Sequence, residues 1–266
     1  MNMEFSVVTP VFNGLEFLQG CVDNVIEQRV PALEHIIVDG GSTDGTLEAA
    51  IRLSEIHPHI RVIKGPDKGQ SDAMNKGMRA AEGKVVGVLN VDDFYEPGAV
   101  LEALSILLPL SMPSLVAGNC KIINLETGRI FWSKPKKLSL RSFQMGSPIP
   151  ANPSAYFYHK AVHDVVGYYD VEDHFAMDLD FLLSCARRVN MIYVDRYWGN
   201  FRLGPGCKTF DDTGNARKRV QDILKKNSEG FSKIENLYFT LSRFYGKIVV
   251  RLSRLISSRL NFQSVR

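Results

Sequence analysis

Two adjacent carboxylates, Asp92 and Asp93, close the apolar run Val85-Val86-Gly87-Val88-Leu89. Like charges side by side repel at such a position unless something positive compensates them. A hard divalent cation is the natural partner, because it takes oxygen ligands and leaves room for phosphate groups. The plain alternative is a strand end followed by a helix cap. A third carboxylate, Asp39, ends His35-Ile-Ile-Val and opens Gly-Gly-Ser-Thr-Asp-Gly. There it can accept hydrogen bonds from a nucleobase imide or a ribose hydroxyl. The alternative is an Asx turn, with Ser42 or Asp44 capping the next helix. The two fit together, with Asp39 turned to a ligand and Asp44 to the cap. Neither G-x-G-x-x-G nor G-x-x-x-x-G-K-[ST] occurs, which sets aside two nucleotide-binding classes.

The elements that must position these groups alternate. Phe5 to Val11 reads as a buried strand, and Leu15, Leu18, Val22, Val25 and Ile26 mark a helix over 15–28. Strands follow at 35–39, 60–64 and 84–89, separated by helices at 46–56 and 69–81. This β-α-β-α-β-α-β order predicts an α/β fold on a mostly parallel sheet with flanking helices. Ligands of such sheets sit at the carboxyl ends of the strands, where Thr9, Asp39 and the Asp92–Asp93 pair fall. The second half is less regular. It predicts a helix over 96–108, strands within 115–132 turning at Glu126-Thr-Gly128, a helix over 178–189 and a strand over 191–194. His159 and His163 fall on a predicted short helix as surface or packing residues. Residues 199–214, with four glycines and a proline, predict a mobile loop, and 211–258 read as mostly helical with a break near Gly230.

Four segments in order carry a resemblance: Val8-Thr-Pro-Val-Phe-Asn-Gly14, Val38-Asp-Gly-Gly-Ser-Thr-Asp-Gly45, Gly69-Gln-Ser-Asp-Ala-Met-Asn-Lys-Gly77 and Leu89-Asn-Val-Asp-Asp93. Together they resemble the family-2 inverting glycosyltransferases, over roughly residues 4–210. The resemblance implies a GT-A-like nucleotide-diphospho-sugar transferase fold, a nucleotide-sugar donor and a divalent metal, Mn²⁺ or Mg²⁺. It implies that Thr9 and Pro10 line the base pocket and that Asp39 binds the base. Asp72 would sit near base or ribose, or else cap its own helix. Asp92 would face ribose and sugar, and Asp93 would hold the metal.

Ala176-Met-Asp178-Leu-Asp180 resembles the segment that supplies the family's catalytic base, at the position of Asp178. Two residues apart on a helix, Asp178 and Asp180 point about 200° away from each other, so one serves as base and Asp180 caps or braces. Asn200-Phe-Arg202-Leu-Gly-Pro-Gly-Cys-Lys208 resembles the late loop that closes over the diphosphate. Many relatives carry a metal-binding histidine there; this chain has Gly204-Pro-Gly206, and Arg202 or Lys208 neutralises phosphate charge or stays a solvated loop charge. Where relatives place His-Gln, this chain has Asn152, a candidate acceptor-binding residue. The resemblance favours a UDP-sugar, with guanosine and deoxythymidine open, and a glycan or lipid-linked acceptor in bacterial surface polysaccharide synthesis. The rivals are a nucleotidyltransferase that makes nucleotide-sugars and a glycan-binding scaffold with a degenerate site. Thr9–Gly14 lacks the basic residue that the first needs.

Composition is that of a folded globular protein: 45% of residues are hydrophobic and 23% charged. Cys21, Cys120, Cys185 and Cys207 are scattered with no CxxC pair, which argues against a zinc site and for a reducing compartment. The amino terminus lacks a secretory pattern. The longest uncharged window, 103–120, is interrupted by Pro109 and Pro113, so no membrane span is expected. The net charge is +3, yet residues 231–266 hold seven bases and one acid, leaving −3 on the first 230. This removes the main support for nucleic-acid binding by the domain. The reading divides the chain into a transferase domain, 1–210 (nucleotide half 1–95, acceptor half 96–210), and a helical extension, 211–266. In the extension an apolar stripe (Ile234, Tyr238, Leu241, Tyr245, Ile248, Leu252, Leu255) with a basic flank suits either a subunit seam or an anionic membrane surface. The expected location is the cytoplasm, including the inner face of its membrane.

Overall fold

Every residue of β1 (Phe5–Val11) is buried, as a central strand covered on both faces must be. It pairs in parallel with β2 (Leu33–Asp39) on one side and β4 (Val85–Val88) on the other, and β3 (Ile60–Lys64) adds beyond β2. The helices α1 (Leu15–Glu27), α2 (Thr46–Ile56) and α3 (Gln70–Ala80) make the crossovers. The computed structural model describes residues 3–173, 176–204, 215–229 and 231–240.

The remaining elements are β5 (Phe94–Tyr95), α4 (Ala99–Leu107), β6 (Ser114–Asn124), β7 (Ile130–Ser133), α5 (Leu140–Gln144), β8 (Tyr156–His159), α6 (Val162–Val166), α7 (Met177–Arg188), β9 (Asn190–Leu203) and α8 (Asn215–Lys226). The sheet runs β3-β2-β1-β4-β8-β6-β9-β5, with β7 paired to β6. Its first four strands are parallel as expected. Beyond them β8 is antiparallel to both neighbours, β6 and β9 are parallel, and β5 and β7 are antiparallel.

Alternation along β1 divides the core. Val8 packs with Met74, Met78, Tyr156, Tyr158 and Phe181 on one face. Phe5 and Val7 pack with Leu104, Phe157 and Trp198 on the other. α3 lies close on the sheet at Gly77, where an added Cβ would stand 2.3 Å from Val8 Cγ1 and 3.2 Å from Val38 Cγ2. Gly77→Ala is therefore expected to lower stability by about 1–3 kcal/mol, although alanine in an open helix position would raise it. Urea unfolding checks the sign: the midpoint falls while the slope stays constant.

Three local expectations change. Residues 199–203, read as the start of a loop, are strand, because Asn200 pairs with Lys121 on one side and Phe94 on the other. Residues 205–214 of that loop lie outside the described residues. His159 ends β8 rather than sitting on a helix; it accepts from the Ser114 N–H, and His163 alone is helical. α4 begins at Ala99, after Gly98 at φ +77°. α8 packs Ile223 against Phe143, Leu179 and Leu183, so the start of the extension shares the acceptor-side core. Helical residues resume at 233–240. Gly230 and residues 241–266, with most of the apolar stripe, lie outside the described residues. No helix among the described residues is long and apolar enough to cross a membrane.

Candidate active site

The carboxyl ends of the parallel strands are joined by loops that hydrogen-bond to one another. The Asn13 N–H donates to Ser42 Oγ, and the Thr43 N–H to Asn13 Oδ1. Asp44 accepts from the Leu15 N–H with one oxygen and the Thr46 N–H with the other, so it ties the starts of α1 and α2 together. Inside this collar Asp39 is fully buried. Its Oδ1 accepts from the Gly41 and Ser42 N–H groups at 3.0 Å each, which is the Asx turn. Its Oδ2 is buried and has no partner among the described residues. Orphaned buried oxygens are uncommon and suit a ligand donor.

Thr9 does not join this opening. Its hydroxyl lies in the interior, 2.8 Å from His35 Nε2 and 3.7 Å from Cys21 Sγ, and Pro10 is buried beside it. Burial pushes His35 down to about 3, so the imidazole is neutral. Asp72 stands in the first turn of α3. The Lys68 N–H donates to it at 3.1 Å, and Lys76 Nζ lies at the same distance. These two groups hold its carboxyl below the usual range.

Asp93 is 3% exposed and well furnished with donors. The Arg202 N–H donates to Oδ1 at 3.0 Å, and the amides of Asn90 and Asn152 donate to Oδ2 at 2.9 and 2.8 Å. Burial pushes its pKa up, and the Asp92 charge adds to this against the pull of these donors. Asp92 is half-buried and pushed up by burial, with Arg202 opposing. No side chain among the described residues donates a hydrogen bond to it. The Arg202 guanidinium lies over the Phe94 ring at 5.3 Å. Lys208 lies outside the described residues. No cluster of three or more acids, histidines or cysteines suited to a metal forms among the described residues.

Asn152 is tied up by this arrangement. Its Oδ1 accepts from the Ser154 N–H while its amide holds Asp93. Gly199 lets the Pro153–Ala155 turn sit against β9, since a Cβ there would meet Ser154 at 2.4 Å.

Asp178 lies in the first turn of α7. The Tyr156 hydroxyl donates to its Oδ1 at 3.4 Å. Burial pushes the carboxyl up to about 6, opposed by Tyr156 and assisted by the Asp173 charge. Behind Tyr156, the Tyr158 hydroxyl lies 3.3 Å from that of Tyr169 and 3.2 Å from His163 Nε2. His163 Nδ1 faces the Gly167 carbonyl at 3.0 Å. A carbonyl only accepts, so Nδ1 carries the proton and Nε2 accepts from Tyr158. Asp180 points away, to the Asn227 amide at 3.2 Å and Lys226 at 3.8 Å on α8.

Several positioning residues escape a reading of the sequence. Ser71 and Asn75, four apart on α3, clamp the loop before α7. Ser71 Oγ donates to the Asp173 carbonyl, and Asn75 exchanges two hydrogen bonds with the Tyr169 backbone. Gln70 donates to Asn90, which in turn holds Asp93. Their i, i+4 spacing inside the glycine-bounded segment is the only signal for the first two.

Residues 6–165 match the family described as Glycosyl transferase family 2. An uncharacterized glycosyltransferase of Mycobacterium tuberculosis, Rv1514c, is 32% identical over 263 residues, covering 94% of this chain and 97% of that protein. The chondroitin synthase of Pasteurella multocida is 38% identical over 95 residues, which are 36% of this chain and 10% of that much longer protein. Among solved structures, S. aureus TarS 1-349 in complex with UDP superposes with a TM-score of 0.67 at 17% identity, covering 91% of this chain and 70% of that one. The mannosyltransferase PcManGT from Pyrobaculum calidifontis, in complex with GDP-Man and Mn²⁺, gives 0.62 at 17%, covering 91% and 69%. These likenesses establish the GT-A-like nucleotide-diphospho-sugar transferase fold. With a family match across residues 6–165 and a relative at 32% identity covered almost end to end, the chain belongs to glycosyl transferase family 2.

Proposed function

We propose that the enzyme transfers a sugar, with inversion, from a nucleotide diphosphate to a hydroxyl of a glycan or lipid-linked saccharide in bacterial surface polysaccharide synthesis. The observation that carries the reading is the Asp92–Asp93 pair. Both carboxylates are raised by burial; each Asp93 oxygen accepts at least one N–H, whereas no side chain among the described residues donates to Asp92. Divalent cations are commonly held by one or two carboxylates plus substrate phosphates. The residues present fit that demand. The resemblance gives the metal to Asp93, whose Oδ2 accepts two N–H groups and whose Oδ1 accepts one. The proposal therefore gives the cation to Asp92 and makes Asp93 the group that fixes the loop. The cation, when bound, neutralises charge on the diphosphate leaving group.

The chain's own residues supply the rest. Asp39 Oδ2 accepts an N–H from the base, and uridine is the proposed base. Arg202, beside Asp92, balances phosphate charge. Asp178 takes the proton from the acceptor hydroxyl as that oxygen attacks in line. A carboxyl at about 6 is ionised at neutral pH yet more basic than an ordinary one. With Oδ1 held by Tyr156, Oδ2 is left for the proton, and no covalent intermediate is needed. The names of relatives support the class: chondroitin and hyaluronan synthases of Pasteurella multocida and a PGL/p-HBAD biosynthesis glycosyltransferase of Mycobacterium tuberculosis. We further place the reaction at the cytoplasmic side of a membrane, with residues 231–266 as a lipid or subunit contact. Within that span Ile234, Leu237 and Tyr238 are exposed.

A donor screen tests the reading. UDP-sugars are expected to raise the melting temperature only with Mn²⁺ or Mg²⁺ present, and to be hydrolysed or transferred. Formation of nucleotide-sugar from a nucleoside triphosphate and a sugar phosphate would instead establish the nucleotidyltransferase.

A further inference from the structure

The hairpin of β6 and β7 presents three consecutive apolar residues to solvent: Ile130, Phe131 and Trp132 are 48%, 51% and 55% exposed. Single exposed apolar residues are ordinary, but a contiguous run is not. β7 pairs with β6, and its other edge meets no strand among the described residues. Residues 125–137 carry four bases, Arg129, Lys134, Lys136 and Lys137, against the single acid Glu126. Lys134 is paired with Asp195. Arg129, Lys136 and Lys137 are exposed, with no acid paired to them among the described residues.

We propose that this hairpin docks the enzyme on an anionic phospholipid bilayer, with Phe131 and Trp132 entering the interface and the flanking bases meeting lipid phosphates. Three features select this occupant. Neighbouring strand residues point to opposite faces, so Phe131 lies on one side of the hairpin and Ile130 and Trp132 on the other. A sugar ring or a flat protein surface uses one face, whereas a fluid interface wets both. One part of the Trp132 ring is also taken by Tyr197, edge-on at 4.8 Å. A second copy is disfavoured by charge, because antiparallel pairing centred on β7 sets Arg129 against the partner copy's Lys134. Aromatic residues beside lysines and arginines match the headgroup layer of an anionic leaflet. The register Ile130–Ile123–Arg202 places the hairpin two strand spacings, about 10 Å, from the strand that carries Arg202. Docking there brings the active site to the lipid surface.

The full chain carries its own reporter. Of its two tryptophans, Trp198 is 1% exposed and Trp132 is not. Vesicles of phosphatidylcholine with phosphatidylglycerol are expected to blue-shift the fluorescence, and pure phosphatidylcholine to leave it unmoved. Binding weakens with salt. Phe131→Ser is expected to cut vesicle partitioning by about tenfold or more. Lys136→Gln with Lys137→Gln is expected to cut it roughly 30-fold, at about fivefold per lysine. Both are exposed changes, so melting temperatures stay at the wild-type value. The proposal is overturned if the protein sediments with anionic vesicles while Trp132 fluorescence stays fixed, since other segments then bind. Unchanged partitioning in both variants overturns it too, as does a wild-type dimer that Phe131→Ser dissociates.

Discussion

Asp178→Asn is expected to lower turnover by about 10²–10⁴-fold and to leave donor affinity unchanged. Asparagine keeps the shape and the acceptor oxygen for Tyr156 but removes the basic lone pair. The wild-type enzyme should lose activity as pH falls through about 6, because protonating Asp178 removes the base. Tyr156→Phe deletes the hydroxyl that favours the ionised carboxylate, so that acid limb moves to higher pH. Rate profiles of kcat with saturating donor read both effects. A variant Asp178→Asn with near-normal kcat would return the role to another carboxylate. Asp180 is a poor substitute, since it faces α8 through Asn227 and Lys226.

The second large effect separates the paired carboxylates. Asp92→Asn is expected to reduce cation-dependent donor binding on the order of 10²-fold or more while leaving the melting temperature unchanged. Asp93→Asn turns one oxygen into an NH2 group, set either against the Arg202 N–H or against the amides of Asn90 and Asn152. Leaving a buried donor unpaired costs about 1–3 kcal/mol, so this variant should melt several degrees lower. Titration of donor binding with Mn²⁺, run beside thermal unfolding, distinguishes them. Loss of cation dependence in a fully stable Asp93→Asn, with Asp92→Asn behaving as wild type, would restore the metal to Asp93.

The first half of the fold is legible in the sequence because its signals are local. Apolar runs of strand length alternate with helical periodicity and are closed by glycines, and α2 and β3 fall on the expected residues, 46–56 and 60–64. β9 is not legible in the same way. Gly199 and Gly204 suggest a loop, and only the flanking β6 and β5 make a strand of residues 199–203. The site divides likewise. Strand-end carboxylates announce themselves by type and position, and Asp39 keeps an oxygen open as its setting suggests. Orientation is another matter. Thr9 turns inward because His35 lies one strand away, and Asn152 turns to Asp93 across 59 positions of sequence. Nothing in the sequence marks Tyr156 until the fold brings its hydroxyl to Asp178.

The clamp of Ser71 and Asn75 on the loop before α7 bears on how such enzymes can be recombined. A crossover after Tyr95, at the seam between nucleotide and acceptor halves, looks natural for building chimeras with altered acceptors. It would separate α3 from the loop it holds, and Asp93 from Asn152 and Arg202. A grafted acceptor half therefore needs an amide at position 152 and a loop whose backbone at 169 and 173 reaches Asn75 and Ser71, or the donor and acceptor sites lose their common register.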